Sequence, residues 1–173
     1  MTKQIALVIA HKEYQPVEYG TTKKVIEQAG YPILTVSDVA GTATATDGST
    51  TIVDTILDEV NVHELAGLFF IGGSGALEHL DHAQSYKLAQ EANDMNLPVG
   101  AICISVRILA KADILANRKA TGWDGDGELD AVFQEHGATR VDKPVVADQN
   151  IVTAIGPDQA QQFGQEIVQL IEK

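Results

Sequence analysis

The residues able to do chemistry fall in three short stretches. In GAICISVRIL, residues 100–109, the only cysteine of the chain, Cys103, stands where an apolar run from Val99 to Ile102 gives way to helix-like sequence. A strand that turns sharply into a helix forces the residue at the turn into a strained backbone conformation and demands small residues two positions to either side. Ala101 and Ser105 meet that demand. A thiol held there faces the positive end of the following helix, which is expected to lower its pKa and enrich the nucleophilic thiolate. The alternative is a cysteine that fills space beside a sheet, since free cysteines are among the most buried residue types.

In FFIGGSGALE, residues 69–78, a buried strand ends in paired glycines. Gly72 and Gly73 allow close approach of a ligand, and their N–H groups could stabilise an oxyanion; a plain tight turn is the alternative. A dinucleotide fingerprint would need a third glycine after Gly73 and Gly75, but Glu78 stands there. The third candidate is Glu18 in EYQPVEYG, where an acid opening the first helix could project over the same sheet edge as Cys103, or simply favour a helix N-terminus. His11 follows the first strand and is a further candidate for the pocket edge. His63, His79, His82 and His136 read as surface or helix-end residues. The i,i+3 pair His79 and His82, beside Glu78 and Asp81, lacks an H-E-x-x-H frame, so no metal is expected. The acidic DGDGELD run, residues 124–130, has Leu129 where an EF-hand loop needs glycine, and reads as a solvated helix start.

The elements that must position these residues alternate. Unbroken apolar runs at Ile5–Ala10, Tyr31–Val36, Leu65–Ile71 and Val99–Ile102 are those of strands buried on both faces. Between and after them lie helical patterns at Val17–Ala29, closed by Gly30, and at Ser85–Met95, Val106–Leu115 and Pro157–Ile171. This alternation predicts a parallel α/β sandwich, in which ligands sit beyond the carboxyl ends of the strands. Asp47-Gly48 within residues 41–54 predicts a β-hairpin, and Pro144–Ala147 with Ile151–Ala154 a second strand pair. No repeat or linker divides the chain, so 1–173 is read as one domain.

Composition narrows the function classes. Twelve basic residues against twenty-four acidic give a net charge of −12, which repels nucleic acid and anionic membrane surfaces. One cysteine can form neither an internal disulfide nor a multi-cysteine zinc site, and a reducing, cytoplasmic setting is expected. The apolar stretch before His11 is too short for a signal peptide or a membrane span.

Taken together, ALVIAHKEYQPVEYGTTKKVIEQAGY, FFIGGSGALE, PVGAICIS and ANRKATGWDGDGELDAVFQEHGATRVDKPVVADQNIVTAIGP resemble the ThiJ/PfpI superfamily, also called DJ-one/PfpI, in order and over nearly the whole chain. The resemblance implies a flavodoxin-like three-layer α/β/α sandwich of the class I glutamine amidotransferase type, with a mostly parallel sheet and added β-hairpins. It implies that Cys103 is the nucleophile at the elbow and that Glu18 hydrogen-bonds its sulfur, commonly as the protonated acid. It further implies that the backbone amides of Gly72, Gly73 and Ile104 are the oxyanion donors, and that the protein is a homo-oligomer, a dimer or larger.

Two departures bear on function. Protease-like members follow the cysteine with histidine, glycine and proline, whereas this chain has Ile104, Ser105 and Val106. Other members carry a histidine or tyrosine in the segment corresponding to Thr121–Gly125, where Trp123 and Asp124 stand here. Trp123 is a candidate pocket wall, and Asp124 is either a substrate contact or a helix cap. The leading expectation is a cysteine-dependent enzyme acting on a small reactive carbonyl, of the glyoxalase or deglycase kind, without a cofactor. The alternatives are a non-enzymatic redox or stress-response protein with an oxidisable Cys103, and an amidase or peptidase, which the missing histidine disfavours.

Overall fold

The structure, a computed structural model, describes residues 2–173. In chain order its strands are β1 (Gln4–Val8), β2 (Lys12–Tyr14), β3 (Ile33–Ser37), β4 (Gly41–Ala45), β5 (Thr50–Val53), β6 (Thr55–Ile56), β7 (Leu65–Phe70), β8 (Val99–Ile102), β9 (Lys119–Ala120), β10 (Thr139–Arg140), β11 (Val145–Asp148) and β12 (Ile151–Ala154). The helices are α1 (Pro16–Gln28), α2 (Ala76–Leu80), α3 (Ala83–Asp94), α4 (Val106–Lys111), α5 (Leu129–Glu135) and α6 (Ala160–Ile171).

Seven strands form the central sheet in the order β11-β12-β8-β7-β1-β3-β6. All pair in parallel except β11, which runs antiparallel to β12. The apolar runs expected to lie under helices do so: Ile5, Leu7, Val8, Phe69, Phe70 and Ile102 are fully buried. Helices α1 and α6 pack on each other, with α6 lying over β8 and β12 and its Phe163 meeting Phe69 edge to face at 6.1 Å. Helix α3 packs on β7 and β8, and α4 on β8 and α5. This is the mostly parallel α/β sandwich expected, with the flavodoxin-like arrangement.

The order of crossovers decides where a ligand can sit. From β1 the chain crosses to β3 on one side, and from β7 to β8 on the other, so the winding reverses between β1 and β7. The crevice beyond the carboxyl ends of strands at such a reversal is the natural ligand position in an open α/β sheet. The segments leaving β1, β7 and β8 carry Glu18, the Gly72-Gly73 pair and Cys103 respectively.

Both expected hairpins form. Strands β4 and β5 pair antiparallel, the Ser49 N–H donating to Asp47 Oδ1 at 2.9 Å in the turn, and β11 pairs with β12. Other boundaries differ from expectation. The helix expected over Val106–Leu115 stops at Lys111 because Asp113 takes φ +60, while Ile114 and Leu115 remain buried in the turn that follows. Strand β2, too short and polar to stand out in sequence, runs parallel to β4 and builds a three-stranded sheet with the hairpin. Among the described residues no helix is long and apolar enough to cross a membrane.

Candidate active site

Glu18 is fixed by the first turn of α1. Pro16 opens that helix, and the Gln15 side chain accepts the N–H groups of Val17 at 2.6 Å and Glu18 at 3.2 Å through Oε1. An acid in this position commonly folds back onto the N-cap amide. Here both partners turn to Gly72 instead: the Gln15 N–H donates to the Gly72 carbonyl at 2.9 Å, and Glu18 Oε2 accepts the Gly72 N–H at 2.8 Å. Glu18 is wholly buried, and its Oε1 has no complete hydrogen bond of its own; the side chain interacting with this carboxyl is the Cys103 thiol.

Cys103 occupies the elbow with φ +64, in the left-handed region that residues with a Cβ rarely adopt. Its small neighbours Ala101 and Ser105 are fully buried. Ser105 donates its hydroxyl to the Ile71 carbonyl at 2.7 Å, tying the elbow to the end of β7, and the Trp123 N–H donates to the Cys103 carbonyl at 3.3 Å. Gly72 lies between acid and thiol. A Cβ placed on it would sit 2.6 Å from Cys103 Cβ and 2.8 Å from Glu18 Oε2, so only glycine lets the two side chains meet across this backbone. Gly73, at φ +129, is forced by another contact: a Cβ there would fall 2.3 Å from the Glu13 carbonyl oxygen of β2.

The electrostatics depart from expectation at the sulfur. Burial, followed by the charge of the Glu18 carboxylate, pushes the Cys103 thiol up to about 12, although the nearby Ile104 and Gly73 amides favour the thiolate. The expected lowering by a helix N-terminus is not met: α4 is only six residues long, and burial outweighs what so short a helix supplies. Burial also raises Glu18, to about 7, against the lowering effects of the Gly72 N–H and the Cys103 thiol. Near neutral pH the carboxyl therefore exchanges its proton while the sulfur keeps its own.

A hollow of about 360 Å³ opens over the sulfur. Cys103, Gly73, Ile104 and Trp123 line it, and Gln15, Ser74, Thr46 of the hairpin turn and Pro157 complete the rim. Three expected residues stand elsewhere. The Gly72 amide is taken by Glu18, so this glycine holds the acid in place and is not a free oxyanion donor. His11 lies outside the lining; its N–H donates to Asp38 Oδ1 at 2.8 Å. Asp124 accepts the Leu129 N–H at 2.9 Å and pairs with Arg140 at 2.6 Å, serving as a helix cap outside the hollow. His79 and His82 are also engaged, His79 Nδ1 with Asp38 at 2.7 Å and His82 Nε2 with the His79 carbonyl at 2.8 Å. No group of three or more His, Cys, Asp or Glu side chains among the described residues could hold a metal ion. The residue that sets Glu18 is Gln15, whose signal in the sequence is the helix-start pattern Q-P-x-E with the acid at the third helical position.

An elbow cysteine facing a buried acid, above a glycine pair at the reversal point of a parallel sheet, defines a class of flavodoxin-like proteins with a cysteine-centred site. Residues 3–170 match the model of the DJ-1/PfpI family, and the chain belongs to that family. It is 32% identical over 171 residues to an uncharacterized protein of Methanocaldococcus jannaschii, covering 98% of this chain and 83% of that one. The ThiJ/PfpI domain protein from Brachyspira murdochii superposes with a TM-score of 0.93 at 30% identity, covering 99% of this chain and 97% of that one. DJ-1beta of Drosophila melanogaster shares the fold, with a TM-score of 0.88 at 21% identity, covering 100% of this chain and 92% of that one.

Proposed function

We propose that this protein is a cysteine-dependent enzyme converting small 2-oxoaldehydes to 2-hydroxy acids, a glyoxalase-type reaction, with Cys103 as nucleophile and Glu18 as acid–base partner. The observation that carries the reading is the apposition of thiol and buried carboxyl across Gly72, with the Gly73 and Ile104 amides directed at the sulfur.

Sγ adds to the aldehyde carbon as its proton passes to the Glu18 carboxylate. The resulting alkoxide is held by the Gly73 and Ile104 amides and takes that proton back, giving a hemithioacetal. Glu18 next removes the hydrogen on the same carbon, leaving an enediolate, and returns it to the neighbouring carbon while the hydroxyl proton moves to the neighbouring oxygen. The product is a 2-hydroxy thioester. Water hydrolyses it, releasing the acid and restoring the thiol. Oxidation of one substrate carbon is balanced by reduction of the next, so no external redox partner is needed.

An acid raised to about 7 suits this shuttle, because it can both accept and return a proton near neutrality. The redox alternative is less well supported, since a thiol pushed up to about 12 offers little thiolate to peroxide at neutral pH. Amide hydrolysis is disfavoured because no histidine lines the hollow. A reducing cytoplasm, where a free thiol persists, and a homodimeric state belong to the same reading. Incubation with methylglyoxal should yield lactate with the wild-type protein and none with Cys103→Ser; lactate formation at the wild-type rate in that variant excludes the mechanism.

A further inference from the structure

Trp123 is the only tryptophan of the chain and a wall of the hollow, yet no secondary structure holds it. It lies in the irregular segment between β9 and α5. Besides the Trp123 N–H bond to the Cys103 carbonyl and the Asp124–Arg140 pair, the side chain that reaches the indole from the elbow is Arg107, four residues beyond Cys103. The guanidinium lies 5.7 Å over the Trp123 ring. Its Nη1 donates to Asp126 Oδ2 at 2.9 Å and its Nη2 to Oδ1 at 2.5 Å, a two-pronged grip on the same segment. Gly125 closes the arrangement, since a Cβ there would lie 2.3 Å from Cζ2 of the indole.

Arg107 is only 4% exposed, and its Nε is buried without a partner. A charge so desolvated is costly unless the structure uses it. It does not act on the sulfur, whose neighbours are Glu18 and the Ile104 and Gly73 amides. Its reach runs the other way, from the first turn after the elbow to the wall. The surface it fixes is mainly apolar, made with Ile104 and Pro157 beside the neutral Gln15, Thr46 and Ser74, and among the described residues no cationic side chain lines the hollow to receive a carboxylate. A flat, uncharged substituent gains contact with the indole there, whereas an anionic one loses water without a counter-charge.

We propose that Arg107 is a positioning residue that, gripping Asp126 and stacking on Trp123, sets the indole as the specificity wall of the hollow and selects carbonyl compounds with flat, uncharged, apolar substituents. This rests on the hollow being the substrate site, but not on the reaction performed there.

Two readouts test it without turnover. Trp123 fluorescence reports the wall directly, because it is the only indole. Acrylamide quenching should rise about twofold or more in Arg107→Lys and Asp126→Asn as the ring is freed, and Asp126→Glu, which keeps the charge, should restore part of the protection. The single thiol reports selection. The ratio of its alkylation rates with phenacyl bromide and iodoacetamide should fall about threefold or more in both variants, the scale of a lost aromatic contact. The side chain of Asp126 is 40% exposed, so Asp126→Asn should keep the fold if Arg107→Lys does not. Unchanged quenching in Asp126→Asn overturns the grip, and raised quenching with an unchanged ratio overturns the selection. Absence of glyoxalase activity would overturn only the proposed reaction.

Discussion

Glu18 and Cys103 are coupled unequally. Burial raises the proton affinity of both; beyond that, the Glu18 carboxylate pushes the thiol higher, whereas the neighbouring thiol pulls the carboxyl down. The acid therefore ionises first, and its charge keeps the sulfur protonated.

Removing that charge should free the thiol. In Glu18→Gln, whose amide oxygen can still accept the Gly72 N–H, the midpoint of the pH–rate profile for Cys103 alkylation by iodoacetamide should move down from about 12 toward the ordinary thiol range. A midpoint that stays in place or rises would show that the two groups do not interact. The same variant should lose about a hundredfold or more in 2-oxoaldehyde conversion, the usual weight of a positioned acid–base group.

The pH dependence of conversion follows from the acid. Below about 7 Glu18 holds its proton and cannot accept one from the thiol. Initial rates of lactate formation should therefore fall about tenfold per pH unit below that point. A profile flat from pH 5 to 8 would remove Glu18 from the role of base.

Stability should move in the opposite sense. Native Glu18 binds its proton more tightly than the unfolded chain does, so its contribution is fully present below pH 4.5 and is lost as pH rises to about 7. The shift corresponds to about 3 kcal/mol. Denaturant unfolding at pH 4.5 and 7.5 should show the wild type losing about that much relative to Glu18→Gln; parallel changes in the two proteins would contradict the buried acid.

Gly72→Ala tests the spacing alone, because that glycine needs no left-handed backbone. The added methyl would meet Cys103 Cβ at 2.6 Å, Glu18 Oε2 at 2.8 Å and the Ile102 carbonyl oxygen at 3.0 Å. Overpacking of this kind costs about 1–3 kcal/mol. Displacing acid from thiol should lower conversion about a hundredfold in a protein that keeps its far-ultraviolet circular dichroism. Full activity would place the reacting groups elsewhere.

Ser105→Ala should weaken the elbow by about 1–3 kcal/mol, the cost of leaving a buried carbonyl, here that of Ile71, without its donor. Thermal unfolding measures it, and an unchanged midpoint would mean that the hydroxyl carries nothing.

Much of this architecture was legible in the residues. Buried strands such as Leu65–Phe70 are apolar on both faces, Asp47-Gly48 can hardly be other than a turn, and Cys103 between Ala101 and Ser105 has the small flanks an elbow needs. What escaped depends on distances between remote segments. Arg107 in V-R-I-L looks like an exposed helix charge, and nothing in DGDGELD tells that Asp126 reaches it while Asp124 turns to Leu129 and Arg140. The thiol pKa escapes for the same reason: a helix end can be read from sequence, but the depth of burial that outweighs it cannot.

The left-handed backbone at Cys103 sets the placement of the sulfur against durability. A non-glycine residue there carries about 1–2 kcal/mol that glycine would not. Glycine at this position would relax the backbone and take the sulfur out of the hollow at one stroke.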